Sequence, residues 1–158
     1  MKIIAVRGDI TEVNVDAVVN PMDAKEGRLV RALLDRGGSE VEAEATGHGP
    51  IQVGEAIITT GGNLKCKYVI HAPVGEAEKQ ARPDGVRQST RAALRCAAGG
   101  RLRSVAIAAL TEDEGTALVT ALRDFDREEG PSDLTEVFIV GEDGEVVSSI
   151  KRFINTGN

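Results

Sequence analysis

Six short runs rich in β-branched residues alternate with stretches of helical spacing, and this alternation constrains the chain more than any other feature. The runs are "IIAV" (3–6), "DAVV" (16–19), "EAIITT" (55–60), "YVIHA" (68–72), "SVAIAAL" (104–110) and "EVFIV" (136–140). Each has the length and composition of a strand. Several are apolar on both faces, which suits strands covered by helices above and below rather than a sheet with one wet side. Between them, Leu29, Val30, Leu33 and Leu34 fall on one helical stripe. So do Val86, Thr90, Ala93, Leu94 and Ala97, then Leu118, Ala121, Leu122 and Phe125, then Val146, Val147, Ile150, Phe153 and Ile154. Gly37 and Gly38 are placed to stop the first helix, and Ser39 with Glu42 has the spacing of a capping box that starts another. Pro83 suits a first helical position. The alternation predicts an α/β fold of three layers, α/β/α, around a central mixed sheet. With 158 residues and no repeat, linker or low-complexity tract, one domain spanning 1–158 is expected.

Charge and cysteine usage narrow the chemistry. Acidic side chains outnumber basic ones by 25 to 19, and the net charge of -6 opposes a nucleic-acid backbone. Arg101 and Arg103, flanking one leucine, read as a solvated turn before a strand. Cys66 and Cys96 have neither a C-x-x-C spacing nor a histidine pair beside them, so both read as reduced thiols. His48 and His71 make a poor metal site, and no cofactor is implied. No stretch reaches the length of a membrane span, and the N-terminus runs directly into "KIIAVRG", so a cytoplasmic chain without membrane contact is expected.

In an open α/β sheet, ligands bind beyond the strand ends, in loops that lead into helices. Three loops therefore matter: "RGDIT" after the first strand, "NPMDAKEG" after the second and "LTEDEGT" after "SVAIA". Asp9, in the first, is either a turn or cap residue or a ligand contact. Thr111 and Glu114, in the third, have capping-box spacing and would make a self-satisfied helix start. "TTGGN" (59–63) follows a strand but lacks the spacing of a dinucleotide fingerprint.

Taken in order, "VRGDIT", "VDAVVN" and "VGEAIITTGGNLKCKYVIHA" resemble the macro domain family, small modules that bind ADP-ribose and in some members hydrolyse its esters. The resemblance covers nearly the whole chain, is strongest over 1–20 and 50–74, and fades after 110. It implies that the carboxylate of Asp9 accepts from the adenine amino group and that Ile10 adds a backbone contact. His71 matches a position that the family gives no catalytic role.

Elsewhere this sequence departs from the family. The second strand ends in "VVNPMD", so Asn20 keeps the first asparagine of a motif resembling V-N-A-A-N while Asp23 stands where the last belongs. A carboxylate only accepts, whereas an amide also donates. If the chain were a hydrolase, Asn20 and Asp23 would be the catalytic candidates, by positioning water or acting as a general base. A glycine run that approaches the diphosphate in the family is replaced by "AKEGRL", with only Gly27 retained. A second phosphate loop, resembling S-T-G-x-x-G, reads Thr111, Glu112, Asp113, Glu114, Gly115. The place of an adenine-stacking aromatic falls on Glu142.

The ligand-binding candidates implied are thus Asp9, Ile10, Asn20, Asp23, Gly27, Thr111 and Gly115, for ADP-ribose or an adenosine-type nucleotide. With the adenine end kept and both phosphate loops altered, binding is expected to be weak or lost. Two alternatives stand beside this reading. One is a non-catalytic module of the same fold acting through protein contacts or self-association. The other is an ADP-ribosyl hydrolase, removing ADP-ribose from proteins or acetyl groups from O-acetyl-ADP-ribose.

Overall fold

A computed structural model describes residues 1–21, 28–74 and 83–156. Six strands, β1 (Lys2–Arg7), β2 (Ala17–Asn20), β3 (Ile57–Thr60), β4 (Tyr68–His71), β5 (Ser104–Ala108) and β6 (Glu136–Gly141), form one sheet in the order β1-β6-β5-β2-β4-β3. All neighbours are parallel except β3 and β4, so the expected mixed sheet is present. Each of the six β-branched runs supplies one strand.

Among the described residues, five α-helices complete the fold: α1 (Arg28–Gly37), α2 (Ser39–Gly47), α3 (Pro83–Gly99), α4 (Glu112–Glu129) and α5 (Gly144–Thr156). Strand alternation divides the core in two. Ala17, Val19, Ile70, Val105 and Ile107 point to one face, where they meet Leu94 of α3, Leu122 of α4 and Ile150 of α5. Val18, Val69 and Ala106 point to the other, where they meet Leu33 of α1 and Val41 of α2. Helices therefore cover both faces, which is why the central strands carry apolar residues at consecutive positions.

The turn between α1 and α2 corrects one expectation. Ser39 does not cap α2; it already lies inside the helix, and Gly38 occupies the cap position with φ of 92° and no side-chain hydrogen bond. Gly38 serves both helices, its N–H donating to the Leu34 carbonyl and its own carbonyl accepting from Val41 N–H. Positive φ at that point excludes most side chains, so glycine displaces serine from the cap. Close packing continues at Gly62, where an added Cβ would stand 2.1 Å from the Gly37 carbonyl oxygen.

Arg101 and Arg103 are exposed, in and just after the turn that enters β5. Among the described residues, no helix is long and apolar enough to cross a membrane. The five parallel strands all finish at one edge, at Arg7, Asn20, His71, Ala108 and Gly141.

Candidate functional site

At that edge lies a cleft of about 470 Å³, within the usual range for small-molecule sites of about 300–1,000 Å³. Among the described residues, four segments wall it: Gly8, Asp9, Ile10 and Thr11 after β1; Leu29, Ala32 and Arg36 on α1; Ala108, Ala109 and Leu110 after β5; and Val140 with Glu142 at the end of β6. A smaller hollow of about 50 Å³ adjoins it, sharing Leu29, Ala108 and Leu110, and reaches Val19, Pro21, Val74 and Glu114. Leu110 stands at the junction and is 61 % exposed among the described residues.

Asp9 turns the chain out of β1. Its Oδ1 accepts from Thr11 N–H at 2.9 Å and from the Thr11 hydroxyl at 2.7 Å, which caps a short 3-10 turn at Ile10–Glu12. Those two hydrogen bonds, with help from Arg36, hold its carboxyl below the usual carboxylate range. Oδ2 lies 3.6 Å from Arg36 Nη2. The cap role and the cleft position therefore coexist in one residue, because a carboxylate offers about four acceptor sites. Arg36 is itself held by Glu12 at 2.8 Å, and Lys65 completes this exposed cluster at 2.8 Å from the other Glu12 oxygen. Sequence reasoning missed Arg36 and Ala32. The signal was the spacing of Leu29, Ala32 and Arg36, three positions on one helical face.

The loop after β5 closes on itself. Thr111 caps α4, its hydroxyl accepting from Glu114 N–H at 3.1 Å. Glu114 reaches back, as a capping box requires, but one residue further than expected: Oε2 accepts from Leu110 N–H at 2.8 Å rather than from Thr111. Gly115 is buried, and an added Cβ would stand 2.3 Å from Ile150 Cγ1 of α5. Helix packing thus accounts for that glycine without a ligand.

Asn20 is 2 % exposed at the end of β2. Its Nδ2 lies 3.0 Å from His71 Nδ1, and His71 Nε2 lies 2.9 Å from Thr59 Oγ1. The Thr59 hydroxyl donates to the Thr60 carbonyl, so it accepts from His71 Nε2–H, and Nδ1 in turn accepts from Asn20. Burial pushes the imidazole pKa down to about 4, with a smaller contribution from His48 and opposition from Glu44. His71 is a neutral bridge between β2, β4 and β3. Asp23 and Gly27 lie outside the described residues. Glu142 lines the cleft, and its carbonyl accepts from Arg7 Nε at 3.1 Å. Both cysteines are free; burial raises both thiol pKa values, and Cys96 is only partly covered. Among the described residues, no three His, Cys, Asp or Glu side chains converge as a metal site requires.

The family model for the macro domain matches residues 19–113. The chain belongs to the macro domain family. A relative from Aquifex aeolicus, an uncharacterized protein, is 38% identical over 98% of both chains. Another from Aeropyrum pernix is 41% identical over 65% of this chain and 57% of its own length. Among solved structures, the Trypanosoma brucei macrodomain in complex with ADP-ribose superposes with a TM-score of 0.81 at 24% identity, covering 96% of this chain and 68% of that one. The Oceanobacillus iheyensis macrodomain with ADP gives 0.77 at 19% identity, covering 96% and 88%. At such identities these macro domains establish the shared fold.

Proposed function

We propose that this macro domain binds the adenosine end of a nucleotide, with Asp9 and Ile10 at the base, and that it holds the diphosphate of ADP-ribose weakly or not at all. The observation that carries the proposal is the cleft beside Asp9, walled on several sides by apolar groups and large enough for a small ligand. Two structural neighbours hold ADP-ribose and ADP, which supports an adenosine-type ligand. Against the phosphates stand Glu112, Asp113 and Glu114 in the first turn of α4. One like charge at about 8 Å and an effective dielectric near 20 costs on the order of 2 kcal/mol before salt screening.

Hydrolysis is not part of the proposal. Asn20 is buried, with its Nδ2 3.0 Å from His71 Nδ1, and a positioning role for water needs a group within hydrogen-bond reach of the reacting centre. Calorimetric titration with adenosine and with ADP-ribose tests the reading. Adenosine is expected to bind, and ADP-ribose to bind no more tightly. In Asp9→Asn the amide oxygen can still cap Thr11 while one acceptor is replaced by a donor, so adenosine affinity falls about tenfold, in line with one charged hydrogen bond. Low-micromolar ADP-ribose binding would defeat the weak-phosphate part. Absence of any adenosine binding would defeat the whole and favour the protein-contact alternative.

A further inference from the structure

We infer that Glu114 sets which ligands this cleft accepts: its carboxylate occupies a backbone N–H that an anionic ligand group would need, so the site takes a nucleoside or another neutral adenosine derivative in preference to a nucleoside diphosphate. The inference rests on the adenosine reading above and adds the residue responsible and the ligand class it selects.

Three observations combine. Leu110, whose N–H is taken by Glu114 Oε2 at 2.8 Å, belongs to the wall of both the cleft and the adjoining hollow. Glu114 itself lines the hollow rather than the cleft wall, and its carboxylate meets Leu110, which both spaces share. Glu112 and Asp113, in the same turn, are exposed, whereas Glu114 is partly buried and held at its backbone by the Thr111 hydroxyl. A helix N-terminus reached from a strand end ordinarily favours an anion from outside. Here the chain has its own. Hydrogen bonds to an ionised acceptor are roughly twice as strong as neutral ones, so a phosphate must displace a strong partner and then lie beside it.

The same carboxylate treats a neutral ligand differently. Phosphate oxygens at neutral pH are acceptors and meet only repulsion from Glu114. Ribose hydroxyls are donors as well, and a carboxylate accepting from Leu110 retains further acceptor sites for them. Charge therefore discriminates between the two ligand classes, whereas the size of the cleft does not.

Titration of adenosine and of ADP into the wild type, Glu114→Gln, Glu114→Ala and Glu112→Gln at one salt concentration tests this, with thermal melting to confirm folding. The glutamine variant keeps an acceptor for Leu110 N–H and removes the charge. We expect the ratio of ADP to adenosine affinity to rise about tenfold in Glu114→Gln, the effect of one nearby like charge, and further in Glu114→Ala, which also frees the Leu110 N–H. In Glu112→Gln it should move by less than about threefold, as a solvated charge does. If all four proteins bind adenosine and the ratio stays constant in the Glu114 variants, or climbs equally in Glu112→Gln, the assignment to Glu114 fails while the adenosine reading survives. A wild type that prefers ADP overturns the assignment too. If none of the four binds adenosine, both fall together.

Discussion

Neither ring nitrogen of His71 faces water: one meets Asn20 and the other Thr59, in a histidine that is 1 % exposed. Its pKa of about 4 against an ordinary 6.5 makes protonation costly in the folded state alone. Above pH 6.5 the imidazole is neutral whether the chain is folded or not, and its contribution is fully present. As pH falls from about 6.5 to about 4, the unfolded chain takes up the proton first and stability is lost. The gap corresponds to about 3 kcal/mol. Carboxylates titrate in the lower part of this window as well, so a His71→Gln variant is the needed comparison. Denaturant unfolding at pH 7 and pH 4.5 should show the advantage of wild type over the variant shrinking by about 2 to 3 kcal/mol. An advantage that is the same at both pH values would mean that the histidine is not held neutral by its surroundings.

Elements were legible in the sequence to the extent that burial imposes a period. Val18 against Val19, and Ala106 against Val105 and Ile107, separate into the two cores as strand alternation demands. The α4 stripe of Leu118, Ala121, Leu122 and Phe125 is buried throughout. Reading was weaker where one backbone angle or one side-chain reach decides the outcome. Nothing in "RGGSE" distinguishes a serine cap from a glycine at φ of 92°, and nothing in "ALTEDE" tells whether Glu114 ends on Thr111 or on Leu110. The spacing of Leu29, Ala32 and Arg36 marks one face of α1, but which face turns to the cleft depends on how α1 crosses the sheet. Gly115 matches a phosphate-loop glycine and also packs against Ile150, a packing reason that the motif alone does not show. Gly115→Ala should therefore cost about 1–3 kcal/mol through overpacking of α4 on α5, with adenosine affinity unchanged in protein that remains folded. Loss of adenosine binding at unchanged stability would instead assign Gly115 to the ligand.

At the scale of the whole molecule, the fold brings the ends of five parallel strands to one edge, and the composition decides what sort of ligand approaches it. The chain carries a net charge of -6, its cleft wall includes Asp9, and Arg36 is already paired to acids on its own side. For an uncharged ligand this field is nearly irrelevant. For a diphosphate it opposes binding from beyond contact distance, and its reach depends on salt, from about 30 Å at 0.01 M to about 8 Å at 0.15 M. Screening should thus strengthen ADP binding while leaving adenosine unaltered, the reverse of the usual salt response of a phosphate-binding protein, whose cations are screened instead. Titrations across that salt range should show ADP affinity rising severalfold and adenosine affinity flat. Should ADP affinity fall with salt, the phosphates would be meeting net positive potential, and the acids gathered at this sheet edge would not govern what the cleft admits.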